Sequence, residues 1–357
     1  MNVTRLKTEL LCKGARIREG IDKGRRGGAG PTGGRYFILP NETCSEIPLQ
    51  GRFVEFSPFA LVQTSRTWQI LKDGEFIVEA TIVPKPGFYE KRTSEGIPMR
   101  KIALLHGKDC FASTVYSKCI YWSIGKQCKF CGIELGHSER LVLKPPRQLG
   151  EVAEEAFKEG TAKHVSLTTG TPMEQDKGAL ILAEATKEIK QRVNMPVHVQ
   201  LEPPESIKWL ELLRNAGVDT VGIHAECFDE KVLKHVCPMK ANLEDYFKAW
   251  KTAVELFGEG QVSTFIIAGL GETDESILQG AEKTAEMGVV PYLLPLRPIE
   301  GTKFGNASPP STERMIRLYE RVCQTLKDYG LDPRKNRAGC VRCGACSSLT
   351  EAFAHGF

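Results

Sequence analysis

Residues 110–131 read CFASTVYSKCIYWSIGKQCKFC, a seven-residue apolar run that passes directly into a loop carrying Cys119, Cys128 and Cys131. The run has the length and the β-branched and aromatic content of a buried strand. Five more runs of this kind follow: HVSLTT (164–169), VHVQLE (197–202), TVGIHAE (220–226), VSTFIIAG (262–269) and VVPYLLPL (289–296). Between them, stretches at about 148–160, 176–193, 205–216, 228–236, 242–258 and 273–287 place apolar residues at helical spacing. Such alternation predicts repeated βα units around a parallel sheet. Six units fall short of the eight that close a ring, so the expected fold is α/β, a partial (β/α)6 TIM-like barrel. Active-site groups of such barrels gather at the C-terminal ends of the strands, where the cysteine loop stands.

Working outward, the chain divides into an N-terminal extension (1–100), the partial barrel (101–300), and a C-terminal helix with a cysteine-bearing tail (301–357). The extension is expected to be irregular, with short β runs such as RFVEF and EFIVEATIV. Its segment GRRGGAGPTGG (24–34) lacks the Lys-Ser/Thr ending of a phosphate-binding loop. It reads as a flexible loop, or as a lid whose amides, Arg25 and Arg26 meet an anionic group. A helix is expected near 311–329, and the tail beyond it is expected to fold back over the barrel mouth.

Composition excludes several function classes. With 48 Lys and Arg against 44 Asp and Glu, the net charge of +4 has no concentrated basic block, so there is no footprint for nucleic acid. No run of about 18 apolar residues suits a membrane span, and the opening MNVTRLKTELLCKGAR interleaves charges where a secretory signal would be apolar. A cytoplasmic location is expected. The 12 cysteines then read as thiols, and their clustering is the informative feature. Cys12, Cys44, Cys110, Cys227, Cys237 and Cys323 are scattered and receive no role.

Cys119, Cys128 and Cys131 offer three thiolates from one loop. A [4Fe–4S] cluster usually takes four, so three leave one iron open to an exogenous ligand. A structural zinc site is the alternative, with His137 as the nearby candidate. Cys340, Cys343 and Cys346, in the run CVRCGACSS, form a second triad whose spacing suits adjacent irons of one cluster. A zinc knuckle or a redox dithiol are the alternatives there. A fourth ligand for this group would be a distant cysteine such as Cys44, the oxygen of Ser347 or Ser348, or something exogenous.

The first cysteine loop, with an aromatic residue before its last cysteine, resembles the radical S-adenosylmethionine (SAM) superfamily, although its first gap holds eight residues where the usual motif has three. The resemblance implies a SAM-binding [4Fe–4S] cluster on Cys119, Cys128 and Cys131, with SAM cleaved to a 5′-deoxyadenosyl radical. It further implies SAM contacts from Thr169, Gly170 and Thr171, from the segment containing Gly269 and Glu272, and from Glu202 and Glu226 at strand ends. His224 and Arg297 are further candidates. No catalytic residue is assigned beyond the clusters.

With GRRGGAGP, KIALLHGKD and CIYWSIGKQCKFCGIEL, the chain is similar to the biotin-synthase-like group, nearest a subunit of the two-component lipoyl synthases of archaea and some bacteria. That similarity implies sulfur insertion into a protein-bound octanoyl chain from a second, auxiliary [4Fe–4S] cluster on Cys340, Cys343 and Cys346. The implied partners are an octanoylated carrier protein or peptide, a second synthase subunit and a low-potential electron donor such as ferredoxin. Relatives of unknown substrate share the same motifs, so another unactivated C–H substrate is the alternative. An iron–sulfur electron-transfer protein and a zinc-stabilised binding module are the readings from other classes. The sequence leaves open which carbon reacts, the fourth auxiliary ligand and the oligomeric state.

Overall fold

The computed structural model describes residues 2–17, 21–25, 27–28, 32–136, 141–240 and 242–357. Arg26, His137 and part of the glycine segment lie outside them. The 13 strands of the described residues form two sheets.

The first sheet comprises β1 (Arg16–Ile17), β2 (Gly34–Leu39), β3 (Thr43–Pro48), β4 (Phe59–Gln63), β5 (Trp68–Lys72) and β6 (Glu75–Ile82), in the order β1-β4-β5-β6-β2-β3. Phe37, Ile47, Phe59 and Ile70 pack from it against Leu6 and Leu10 of the helix Val3–Lys13. The expectation of an irregular extension is therefore corrected. Alternating apolar positions in β2 and β4 give this sheet a buried face, and the helix covers it.

The second sheet is the barrel. β7 (Leu104–His106), β8 (Cys110–Tyr116), β9 (His164–Thr169), β10 (Val197–Gln200), β11 (Thr220–Gly222), β12 (Val262–Ala268) and β13 (Val289–Pro295) lie side by side in chain order. β8 to β13 are parallel, and β7 adds an antiparallel edge through its hairpin with β8. The six expected strands are all present, and the curled sheet stays open as a half-barrel. Helices Pro146–Lys158, Ala179–Arg192, Lys208–Asn215, Glu230–Val236, Leu243–Phe257 and Asp274–Glu286 connect the strands, and several pack onto the Val, Ile and Leu core of the barrel.

The tail follows the helix Thr312–Asp328 and runs under the barrel. Asn336 donates to the Gly260 carbonyl (2.8 Å), Arg337 to the Asp219 carbonyl (2.9 Å), and Thr220 to the Ala338 carbonyl (3.2 Å). The Gly339 amide donates to His164 Nδ1 at 3.1 Å. These partners stand at the starts of the strands, so the tail closes the end opposite the mouth, which corrects the expected placement. The reason lies in the inward polar groups at the strand starts, His164, His198 and Thr220, whose burial demands hydrogen-bond partners. At Gly339 (φ +86°) a Cβ would stand 2.3 Å from the His198 ring, so only glycine passes there.

Candidate active site

A cavity of about 1170 Å³ occupies the barrel lumen, and all six clustered cysteines line it. Cys119, Cys128 and Cys131 stand at its mouth end, Cys340, Cys343 and Cys346 at its floor. Among the described residues, no three His, Cys, Asp or Glu side chains converge as a single metal ion requires.

The upper loop is held by the end of β9. Ile120 donates to the Thr171 carbonyl (2.9 Å), and the Gly170 amide donates to Tyr116 of β8 (2.7 Å). A Cβ at Gly170 would sit 2.0 Å from the Lys118 carbonyl oxygen, so this glycine permits the close approach of strand end and cysteine loop. The Cys119 amide donates to Glu134 (2.8 Å), which fixes the first cysteine from the far side of the loop. Burial raises the Cys131 thiol to about 12, with Cys128 beside it adding to the rise. A positive metal centre reverses that preference by stabilising thiolate.

Three more groups face the same end. Glu202 accepts from Tyr121 OH at 2.7 Å, and its other oxygen lies 3.8 Å from Lys240 Nζ. Glu226, at φ +72°, brings an oxygen to 3.3 Å from the same Lys240. Burial raises the Glu226 carboxyl, while Lys240 opposes the rise. His224 stacks on Phe265 with centroids 3.6 Å apart and accepts from the Phe265 amide (3.1 Å). Glu202 Oε1, Glu226 Oε2, His224 Nε2, Tyr292 OH and Arg297 Nε are buried without a hydrogen-bond partner, and their residues all line the cavity. Buried polar atoms of this kind mark where a polar ligand completes the site. With three thiols alongside them, the lumen fits a chelated, zwitterionic ligand such as SAM.

Thr169, Gly170, Thr171, Glu202, His224, Glu226 and Arg297 all border the cavity. Gly269 and Glu272 do not. Glu272 accepts from the Gly269 amide (2.8 Å) and the Leu270 amide (2.7 Å) and pairs with Arg314 at 2.9 Å, so its carboxylate braces the turn after β12. Arg297 pairs with Glu46 of β3, tying the two sheets together across the lumen. The serines considered as auxiliary ligands are spent elsewhere. Ser347 donates to the Leu293 carbonyl (2.6 Å), and Ser348 accepts from Thr8 (2.8 Å).

At the floor, Gln200 donates to Cys340 Sγ at 3.2 Å, while His106 sets Nδ1 3.3 Å from Cys343 Sγ and Nε2 3.6 Å from Cys346 Sγ. Burial pushes the His106 imidazole down to about 3, with Arg25 and His164 adding to the fall. Sequence reasoning missed His106 and Lys240. His106 sits in KIALLHGKD, whose short strand carries no alternation to mark it, and Lys240 sits in a connection with no motif of its own.

Residues 125–283 match the model of the Radical SAM superfamily. That family implies a [4Fe–4S] cluster and SAM; the matched stretch contains Cys128 and Cys131 and begins just after Cys119. Among individual proteins, the chain is similar to bacteriochlorophyllide c C-7(1)-hydroxylase of Chlorobaculum limnaeum, at 24% identity over 348 residues, covering 91% of this chain and 84% of that one. It is also 26% identical over 228 residues to mitochondrial lipoyl synthase of Saccharomyces cerevisiae, covering 62% of this chain and 51% of the other. The chain thus spans about half the length of the lipoyl synthases it matches. Solved structures that resemble it include the FeFe-hydrogenase maturase HydG of Carboxydothermus hydrogenoformans (TM-score 0.47, 18% identity, 62% of this chain and 52% of that one). Methylornithine synthase is another (TM-score 0.47, 14% identity, 66% and 71%). No helix among the described residues is long and apolar enough to cross a membrane.

Proposed function

We propose that this radical SAM enzyme inserts sulfur at an unactivated carbon, with a protein-bound octanoyl chain as substrate and a second iron–sulfur cluster at the barrel floor as sulfur source. The observation that carries the reading is that both cysteine triads line one cavity from opposite ends. When bound, these groups would supply an electron that cleaves SAM to methionine and a 5′-deoxyadenosyl radical, and a sulfide that a substrate carbon radical captures as one electron passes to iron.

The chain's own residues then have defined tasks. Cys119, Cys128 and Cys131 hold the upper group. Lys240, oriented by Glu202 and Glu226, offers a cation to the carboxylate of SAM, and the two glutamates offer acceptors to its amino group. Cys340, Cys343 and Cys346 hold the lower group. Between them Ala112, Phe265, Leu294 and Leu296 give the wall an apolar stretch that suits an acyl chain. An octanoylated carrier, a partner synthase subunit and a ferredoxin-type donor complete the proposal.

The test is anaerobic reconstitution followed by incubation with SAM, reductant and an octanoyl-lysyl peptide under mass spectrometry. A thiolated peptide together with deoxyadenosine supports the proposal. Deoxyadenosine without sulfur transfer rejects this substrate and favours a second reading, in which an unactivated C–H bond of another molecule is functionalised. The full-length similarity to a hydroxylase favours that second reading.

A further inference from the structure

The floor triad supplies three thiols, and four irons need a fourth ligand. We infer that His106 is that ligand, completing a Cys3His site with Cys340, Cys343 and Cys346. The inference rests on the reading that the tail carries a cluster, and three independent observations support it.

The first is placement. His106 ends β7 and faces Cys110 across the hairpin, and this edge of the sheet packs on the tail. Its ring edge is wedged between two of the three sulfurs, 3.3 Å from Cys343 and 3.6 Å from Cys346, while Gln200 faces the third. The second is the turn that carries it. Gly107 has φ +60°, and a Cβ there would lie 2.5 Å from Cys343 Sγ. A glycine at this position lets the hairpin press against the sulfur, as a ligand-bearing loop must. The third is exclusion. Ser347 and Ser348 are committed to Leu293 and Thr8; Cys44 neighbours Cys343, its Sγ 3.9 Å from where a Gly107 Cβ would stand, but it lies outside the cavity that the triad and His106 share. Cys110 borders it, but its thiol donates to the Phe111 carbonyl at 3.8 Å.

Tyr36 packs against His106 at a tilt of 52° with ring centroids 4.9 Å apart, which limits the imidazole's freedom to turn. A ring held in this way delivers one nitrogen to iron at little further cost in entropy. Imidazole is an accepted iron donor, and replacing thiolate by imidazole raises a cluster's potential.

The test uses the full chain with Cys119, Cys128 and Cys131 all changed to Ala, so that only the floor site can hold a cluster, with its histidines labelled by nitrogen-15. After anaerobic reconstitution, about four irons per chain are expected. In the reduced protein, electron–nuclear double resonance is expected to show a strongly coupled nitrogen-15. His106→Cys in the same background is expected to keep the irons, lose that coupling and lower the cluster potential. Irons present with only weak nitrogen coupling would overturn the assignment of His106 and leave the tail cluster standing. No iron in the triple variant would overturn the tail cluster and the assignment together.

Discussion

Lys7 Nζ donates to the carbonyl of Gly344 at 3.0 Å, joining the first helix to the turn between Cys343 and Cys346. The lysine side chain is fully buried, and Glu351 balances it at 2.7 Å. The N-terminal domain therefore shapes the floor of the barrel directly. Lys7→Met keeps the volume but leaves Glu351 and the Gly344 carbonyl without their cation. Removing one partner of a buried ion pair costs about 3–5 kcal/mol. The expected outcome is a lower unfolding midpoint and loss of iron from the tail site, with SAM cleavage retained; iron counting beside a deoxyadenosine assay checks both.

Gly170→Ala places a methyl group where the Lys118 carbonyl oxygen stands 2.0 Å away. Loop and strand end must separate, which displaces Cys119 from its partners. Misplacement of a reacting constellation by about 1 Å costs on the order of 100-fold in rate. Deoxyadenosine formation should fall by that factor, while the circular dichroism of the fold stays unchanged.

Glu272→Gln separates the brace from a cofactor contact. The carboxylate accepts two backbone amides and pairs with Arg314, so its loss should cost about 2 kcal/mol of stability. SAM affinity, read by equilibrium binding, should stay at its parent value. A weakened affinity at unchanged stability would return Glu272 to the cofactor.

His198 sets a pH dependence of stability. Its ordinary value of 6.5 is pushed down to about 3 by burial, with nearby His164 a smaller cause. Between those values the unfolded chain binds the proton and the folded chain refuses it, so stability falls as pH falls from 6.5 toward 3. The slope from this group is about 1.4 kcal/mol per pH unit. Urea midpoints should drop across pH 6.5 to 4.5, with the buried His106, His164 and His224 adding to the fall, and His198→Asn should remove only the His198 share of the slope, because its Nδ1 contact to Thr220 (2.7 Å) has an amide equivalent while the titrating ring is gone.

The barrel was legible in the sequence because each parallel strand is buried on both faces and reads as a continuous apolar run, such as VSTFIIAG. The strands at 110–116 and 164–169 match to the residue, and the others differ only in their ends. The cysteine triads were legible because thiols cluster visibly. What escaped were groups whose meaning lies in tertiary contact. The β7 strand is three residues long, too short for a period, so the hairpin and His106 went unseen. Lys240 acquires its place only once β10 and β11 bring Glu202 and Glu226 beside it. Glu272 carried the right chemistry in the right segment, yet the turn it follows consumes both of its oxygens. The tail went to the opposite end of the barrel because inward histidines at the strand starts, indistinguishable in sequence from surface ones, require partners there.

The contact between Lys7 and Gly344 also orders the protein's birth. At ribosomal speeds of about 5–20 residues per second, Gly344 emerges on the order of 20 to 70 s after Lys7. Throughout that interval Lys7 stays hydrated, because the residues that bury and balance it have not yet emerged, and the nascent barrel stands open at its base. The floor cysteines emerge after every strand of the barrel, so iron and sulfur can be held at the floor only once the sheet above it has left the ribosome.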